Sequence, residues 1–160
     1  MAGILATIVI TGAAGNIGGK IRDDLLSRGQ KIRYIVKNVV ELDELAGKGT
    51  EIADGSFEDA AFPTKAFSGA DAVFAMIPPN YTAPDLRAYQ NSIGASIAEA
   101  IGTFGVKYIV DLSSHGAHLP EKTGPIKGLR DQEERLINSG ESTACICVRH
   151  SMDFHSQRSH

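Results

Sequence analysis

Eight residues near the start of the chain, Thr11-Gly12-Ala13-Ala14-Gly15-Asn16-Ile17-Gly18, set three glycines three positions apart. They lie between a β-branched run and a segment of helical spacing. Glycine accepts backbone conformations that other residues avoid, so Gly12 permits a tight turn, Gly15 a close backbone approach and Gly18 close packing of a helix on a sheet. The first amides of a helix lack intrahelical acceptors, and with the helix dipole they make a site for phosphate. The chemistry implied is capture of a dinucleotide pyrophosphate. The spacing is G-x-x-G-x-x-G rather than the G-x-G-x-x-G of the simplest dinucleotide fingerprint. An ordinary strand-to-helix turn would explain a lone motif; the flanking elements favour the ligand.

About 20 residues beyond such a loop, a dinucleotide site usually presents an acid to the ribose hydroxyls. That position holds Lys37-Asn38 here. A cation at that point suits the 2′-phosphate of NADP, which makes NADP(H) the expected cofactor in preference to NAD(H). The alternative is a solvated lysine with Glu41 or Asp43 serving the ribose. Further on, Asp54-Gly55-Ser56-Phe57 closes a strand-like run. There a carboxylate could accept from an adenine amino group with Phe57 packed nearby, or the segment is a plain turn. His115 and His118 are three apart, but they sit in a loop without a third ligand in sequence, and no metal is expected. Ser113, Ser114 and His115 lack the G-x-S-x-G elbow of a serine hydrolase.

The elements needed to position these residues alternate along the chain. Residues 6–11, 31–36, 50–54, 72–77, 106–112 and 143–148 read as strands. Helical spacing marks residues 16–28, closed by Gly29, a short segment at 41–46, residues 85–103 through Leu86, Tyr89, Ile93, Ile97 and Ile101, and residues 126–138 beside Leu129, Leu136 and Ile137. Pro63 falls in a loop or helix, and Pro78-Pro79 stop the fourth strand. The fold class expected is α/β: a doubly wound parallel sheet of about six strands with helices on both faces, binding its ligand beyond the carboxyl ends of the strands.

Composition agrees with one domain over residues 1–149 and a polar tail over 150–160. The 160 residues are 42% hydrophobic, and 17 glycines with 6 prolines fall well below the level of low-complexity disorder. A net charge of −3, without a lysine or arginine cluster, gives no footprint for direct nucleic-acid binding. No apolar stretch reaches the roughly 18 residues of a membrane span, and no basic residue precedes the apolar start as in a signal peptide. Cys145 and Cys147, two apart in a strand, lie about 6–7 Å from each other, too far for a disulfide. A reducing, cytoplasmic compartment is expected.

Taken together, TGAAGNIG at 11–18, IVKN at 35–38, ADGSFED at 53–59, FAMIPP at 74–79, LSSHGA at 112–117 and GPIKGLRDQEERL at 124–136 resemble the NmrA-like branch of the atypical short-chain dehydrogenases. The resemblance extends over residues 6–149. That branch has a Rossmann fold and includes NAD(P)H-dependent quinone reductases and NADP-sensing regulators. The resemblance implies that Gly12, Gly15, Asn16, Ile17 and Gly18 cradle the pyrophosphate and that Lys37 replaces the usual arginine at the 2′-phosphate. It places Asp54 and Phe57 beside the adenine, Met76, Ile77 and Pro78 near the ribose and nicotinamide, and Ser113 and Ser114 beside the nicotinamide.

Ordinary members of the wider superfamily use a Tyr-x-x-x-Lys pair, whose lysine lowers the phenol pKa for proton exchange during hydride transfer. At that spacing this chain has Thr123 and Lys127, and a threonine hydroxyl is a poor acid. Lys127 remains a candidate proton donor, against its reading as a surface lysine near a helix start. Arg130 stands where many relatives carry histidine. The resemblance thus implies an oxidoreductase that passes hydride from NADPH to a quinone or similar carbonyl acceptor, since a quinone can take its proton from water. Alternatives are an NADP-sensing regulator acting through a protein partner or self-association, and a truncated cofactor-binding remnant. The last arises because family members continue past the sixth strand through an Arg-Pro and a Phe-Met-Glu-Asn-like segment, whereas Arg149 is followed here by a polar tail.

Overall fold

The structure, a computed structural model, describes residues 6–12, 15–36, 49–59, 62–117, 119, 124–139 and 142–148. In chain order the elements are β1 (Thr7–Thr11), α1 (Asn16–Ser27), β2 (Lys31–Val36), β3 (Thr50–Asp54), α2 (Phe62–Phe67), β4 (Ala72–Ala75), α3 (Leu86–Phe104), β5 (Tyr108–Ser114), a 3-10 turn (Gly124–Ile126), α4 (Lys127–Ile137) and β6 (Ser142–Val148). The strands form one sheet in the order β3-β2-β1-β4-β5-β6, and every neighbouring pair is parallel. This is the doubly wound α/β arrangement expected from the alternation. Its order reverses between β1 and β4, where a crevice opens at the carboxyl edge.

Strand side chains alternate between the faces, and each face has its own helices. Ile10, Ile32, Tyr34, Val36 and Phe74 pack against Ile21, Leu25 and Leu26 of α1. On the other face Val9, Ile35, Val73, Ala75 and Ile109 meet α2 through Phe67, α3 through Ile93, Ile97 and Ile101, and α4 through Leu136. Helices therefore cover both faces, as the sequence implied. Ile137, read with Leu129 and Leu136 among the apolar residues of its helix, is 58% exposed.

β1 and β6 each start one residue from the expected position, and two strands differ more from the sequence reading. β4 ends at Ala75 rather than residue 77, because the backbone of Met76 is taken up by the side chain of Thr11 instead of the ladder. β5 starts and ends two residues later than expected. Gly105 closes α3 in the left-handed conformation, φ +60°, and Val106 donates its amide back to Ile101 at 3.2 Å, so strand pairing starts only at Tyr108. The shift draws Ser113 and Ser114 into the strand. The short helix expected at 41–46 and the tail at 150–160 lie outside the described residues.

Candidate functional site

Parallel pairing brings the carboxyl ends of β1 to β5 to one edge of the sheet. At its centre the Thr11 hydroxyl donates to the carbonyl of Met76 at 2.8 Å and accepts the Met76 amide at 2.6 Å. One side chain thereby joins β1 to the segment leaving β4, just past the last ladder pair, Ile10 with Phe74. Gly12 follows with φ +68°, and a Cβ on it would run into the Met76 methyl group. The turn needs glycine twice over, for its backbone and for the space.

Gly15 is the N-cap of α1, in extended backbone. Its amide donates to the Gly12 carbonyl at 3.0 Å, and its own carbonyl accepts from Gly19 at 2.8 Å. No side chain caps this helix, and its first turn holds no acid. The start of α3 is the opposite case, since the Asp85 carboxylate there accepts from Ala88 at 2.9 Å. The positive end of α1 is thus left for a ligand. Asn16 and Ile17 are exposed beside it, whereas Gly18 is buried under the helix. This is a cradle that fits a pyrophosphate.

Asp54 ends β3, exposed and in register with Val36, and the Gly55 amide donates to the Val36 carbonyl at 2.9 Å. Lys37, the next residue after Val36, lies outside the described residues, as do Asn38, Glu41 and Asp43. Phe57 is 5% exposed and sets its ring edge-on against Phe62 and Phe67, so its aromatic face belongs to the core. Ile77 is also in that core, while Met76 and Pro78 are half-buried. Beside Asp54, a cavity of about 510 Å³ follows β3 and α2, with Arg33, Glu51 and Lys65 among its walls. It lies along the outer strand, away from the β1–β4 crevice.

At the end of β5, Ser113 is 4% exposed and turned toward α3 and α4, and Ser114 is half-buried. Lys127 begins α4, also half-buried. Arg130 pairs with Glu134 at 2.8 Å along the same helix. His115 is exposed in the turn after β5; His118 and Thr123 lie outside the described residues. Three polar residues beneath this end escaped the sequence reading. Asp111 is 2% exposed, and burial, assisted by the charge of Glu133, pushes its carboxyl up to about 7. Gln90 on α3 and Gln132 on α4 are 9% and 1% exposed. A signal was present: Gln90 precedes Gly94 by four residues, and Gly128 precedes Gln132 by four. Each glutamine fills the space that the glycine of the facing helix leaves.

The profile of the NmrA-like family matches residues 5–120 of this chain. Among characterised proteins, a (4-alkanoyl-5-oxo-2,5-dihydrofuran-3-yl)methyl phosphate reductase from Streptomyces griseus subsp. griseus is 28% identical over 134 residues, 83% of this chain and 44% of that protein. Among solved structures, the Citrobacter sp. triphenylmethane reductase complexed with NADP(H) is 24% identical with a TM-score of 0.80, over 92% of this chain and 51% of that one. The NADPH-dependent quinone oxidoreductase of Escherichia coli, complexed with NADPH, is 22% identical with a TM-score of 0.75, over 88% of this chain and 48% of that one. At these identities the structures establish a common fold, and the chain spans about half the length of the proteins it matches.

Proposed function

From membership of the NmrA-like family, to which this chain belongs, we infer that the protein binds a nicotinamide dinucleotide, NADP(H) in preference to NAD(H), and uses it to reduce a quinone or similar carbonyl acceptor. The observation that carries the reading is the uncapped start of α1 behind the side-chain-free turn at Gly12. The names of the Streptomyces, Citrobacter and Escherichia coli relatives, all reductases or oxidoreductases, support the reaction class. When bound, the dinucleotide supplies hydride.

The residues of this chain divide the work of holding it. Amides at Asn16, Ile17 and Gly18 receive the pyrophosphate, Gly12 and Gly15 let the backbone approach it, and Lys37 offers its ammonium to the 2′-phosphate. Asp54 accepts from the adenine amino group. Met76, with Pro78, borders the ribose and nicotinamide, and Thr11 fixes Met76 by holding its backbone. Phe57 and Ile77 act from behind, as core side chains near the strand end at Asp54 and the segment carrying Pro78. Ser113 and Ser114, at the end of β5, and Lys127, at the start of α4, are assigned to the side where an acceptor would meet the nicotinamide.

Calorimetric titration of the wild type and Lys37→Ala with NADPH and NADH tests the cofactor preference. NADPH should bind about ten- to a hundredfold tighter, and the alanine should abolish the difference. NADH binding tighter in both proteins overturns it. The reaction is tested by following NADPH absorbance across a panel of quinones. Steady oxidation is expected. A flat trace with cofactor binding intact rejects the reductase and points to a regulator that responds to the dinucleotide.

A further inference from the structure

Asp111 and Ser113 lie two residues apart on the same side of β5, the side covered by α3 and α4. Asp111 Oδ2 and Ser113 Oγ are fully buried, and neither has a hydrogen-bond partner among the described residues. Gln90 Oε1, from α3, and Gln132 Nε2, from α4, are in the same condition. A buried polar atom left unpaired is costly, so four on the adjoining elements β5, α3 and α4 call for partners. Water is the partner that buried polar groups of this kind ordinarily share, since one molecule can both donate to a carboxylate or amide oxygen and accept from a hydroxyl or amide NH.

We propose that Asp111, Ser113, Gln90 and Gln132 enclose ordered water and form a proton relay along the inner face of β5, with Asp111 as its proton source. The proposal rests on the reductase reading above. It answers the want of a tyrosine at the usual acid position by a carboxyl group reached from beneath the site. Reduction of a carbonyl acceptor requires a hydride, from the reduced dinucleotide, and a proton at the acceptor oxygen. In the relay a water at the end of β5 gives its proton to that oxygen, the buried Ser113 hydroxyl re-protonates that water, bridging water re-protonates Ser113, the Asp111 carboxyl re-protonates the bridging water, and solvent returns a proton to the Asp111 carboxylate. The acceptor gains two electrons and two hydrogens; the dinucleotide loses a hydride, and one proton is drawn from solvent.

The surroundings of Asp111 suit a group that both holds and releases a proton near neutrality. β4 and β6 set Ala75 and Cys145 beside it in register. Among the described residues, Glu133 on α4 is the charged group whose field acts on it, and it favours the protonated form. Of the cations on α3 and α4, Arg87 holds Asp131 and Arg135 holds Gln132 and Asn91, while Arg130 pairs through Nε with Glu134 and keeps a buried Nη1 without a partner among the described residues, and Lys127 stands half-buried at the start of α4. No cation among them is drawn to the carboxyl to hold it ionised.

The test uses wild type, Asp111→Asn and Ser113→Ala, with NADPH affinity measured for all three. A crystal structure that resolves ordered water should show at least one molecule within hydrogen-bond distance of both Asp111 and Ser113; a dry layer overturns the relay. Wild-type turnover should fall as pH rises through neutrality, while both variants lose about a hundredfold at acidic pH and lose that pH dependence. NADPH affinity should be the same in wild type and Asp111→Asn. Turnover in both variants with the wild-type pH profile overturns the relay and leaves the reductase reading standing. A wild type that binds NADPH but reduces no acceptor overturns the reductase reading, and the relay with it.

Discussion

The hydroxyl of Thr11 both gives a hydrogen bond to the Met76 carbonyl, at 2.8 Å, and takes one from the Met76 amide, at 2.6 Å. It satisfies both polar groups of a residue that the β1–β4 ladder no longer reaches. The ends of the two central strands are therefore tied together by one side chain that is 0% exposed. The tie is set by chemistry specific to threonine or serine.

Thr11→Val keeps the shape of the side chain and removes both bonds. Two backbone groups of Met76 are then left without their partner, so the variant should be less stable by about 2–4 kcal/mol in urea denaturation. Dinucleotide affinity should fall as well, because Met76 borders the turn at Gly12. Thr11→Ser should recover most of both losses. Equal stability of the valine and wild-type proteins would show that the strap is dispensable.

Gly12→Ala places a methyl group against the Met76 side chain and in a backbone region at φ +68° that L residues avoid. The left-handed backbone costs about 1–2 kcal/mol. If this turn holds the pyrophosphate as proposed, displacing Met76 from it should lower affinity for the dinucleotide at least tenfold in calorimetry, beyond the loss in stability. An alanine variant with wild-type affinity would remove Gly12 from the site.

Gly94 and Gly102 both lie within α3, where alanine usually gains about 0.5–1 kcal/mol over glycine. Gly102 is exposed with open space around it, so Gly102→Ala should gain that amount. Gly94 is buried against the Gln132 amide and the Arg135 guanidinium, so Gly94→Ala should lose about 1–3 kcal/mol by overpacking. Gln132→Ala should rescue Gly94→Ala, giving a strongly non-additive double-mutant cycle. Additive losses would mean that the two positions do not share one space.

The alternation of elements was legible because each strand and helix carries its own period, and those periods fixed the α/β class and the strands that could bear the site. The glycine loop was legible for a similar local reason: turn chemistry is written in consecutive residues. Asp111, Gln90 and Gln132 were not, because amphipathic reasoning sends polar side chains outward, and here two are drawn inward by glycines on a facing helix. The offset of β5 was hidden for another non-local reason. Val106 has strand propensity, but its amide is claimed by the end of α3. Likewise β4 stops early because of a threonine on β1 that is 65 residues away in sequence.

The pH dependence of stability should carry the mark of Asp111. Its carboxyl is pushed up to about 7 in the folded chain, first by burial and then by Glu133, from an ordinary value of 3.8. Between those two values the folded state holds a proton that the unfolded state has released, so stability is greatest toward acid and declines as pH rises toward 7. Above 7 both states are ionised, and the full cost of the buried carboxylate, up to about 4 kcal/mol, is present. Asp111→Asn cannot ionise, and its stability relative to wild type should climb from pH 4 to pH 7 and then level off. Urea denaturation of both proteins across that range measures the difference. Parallel curves would mean that Asp111 is solvated well enough to titrate as an ordinary carboxylate.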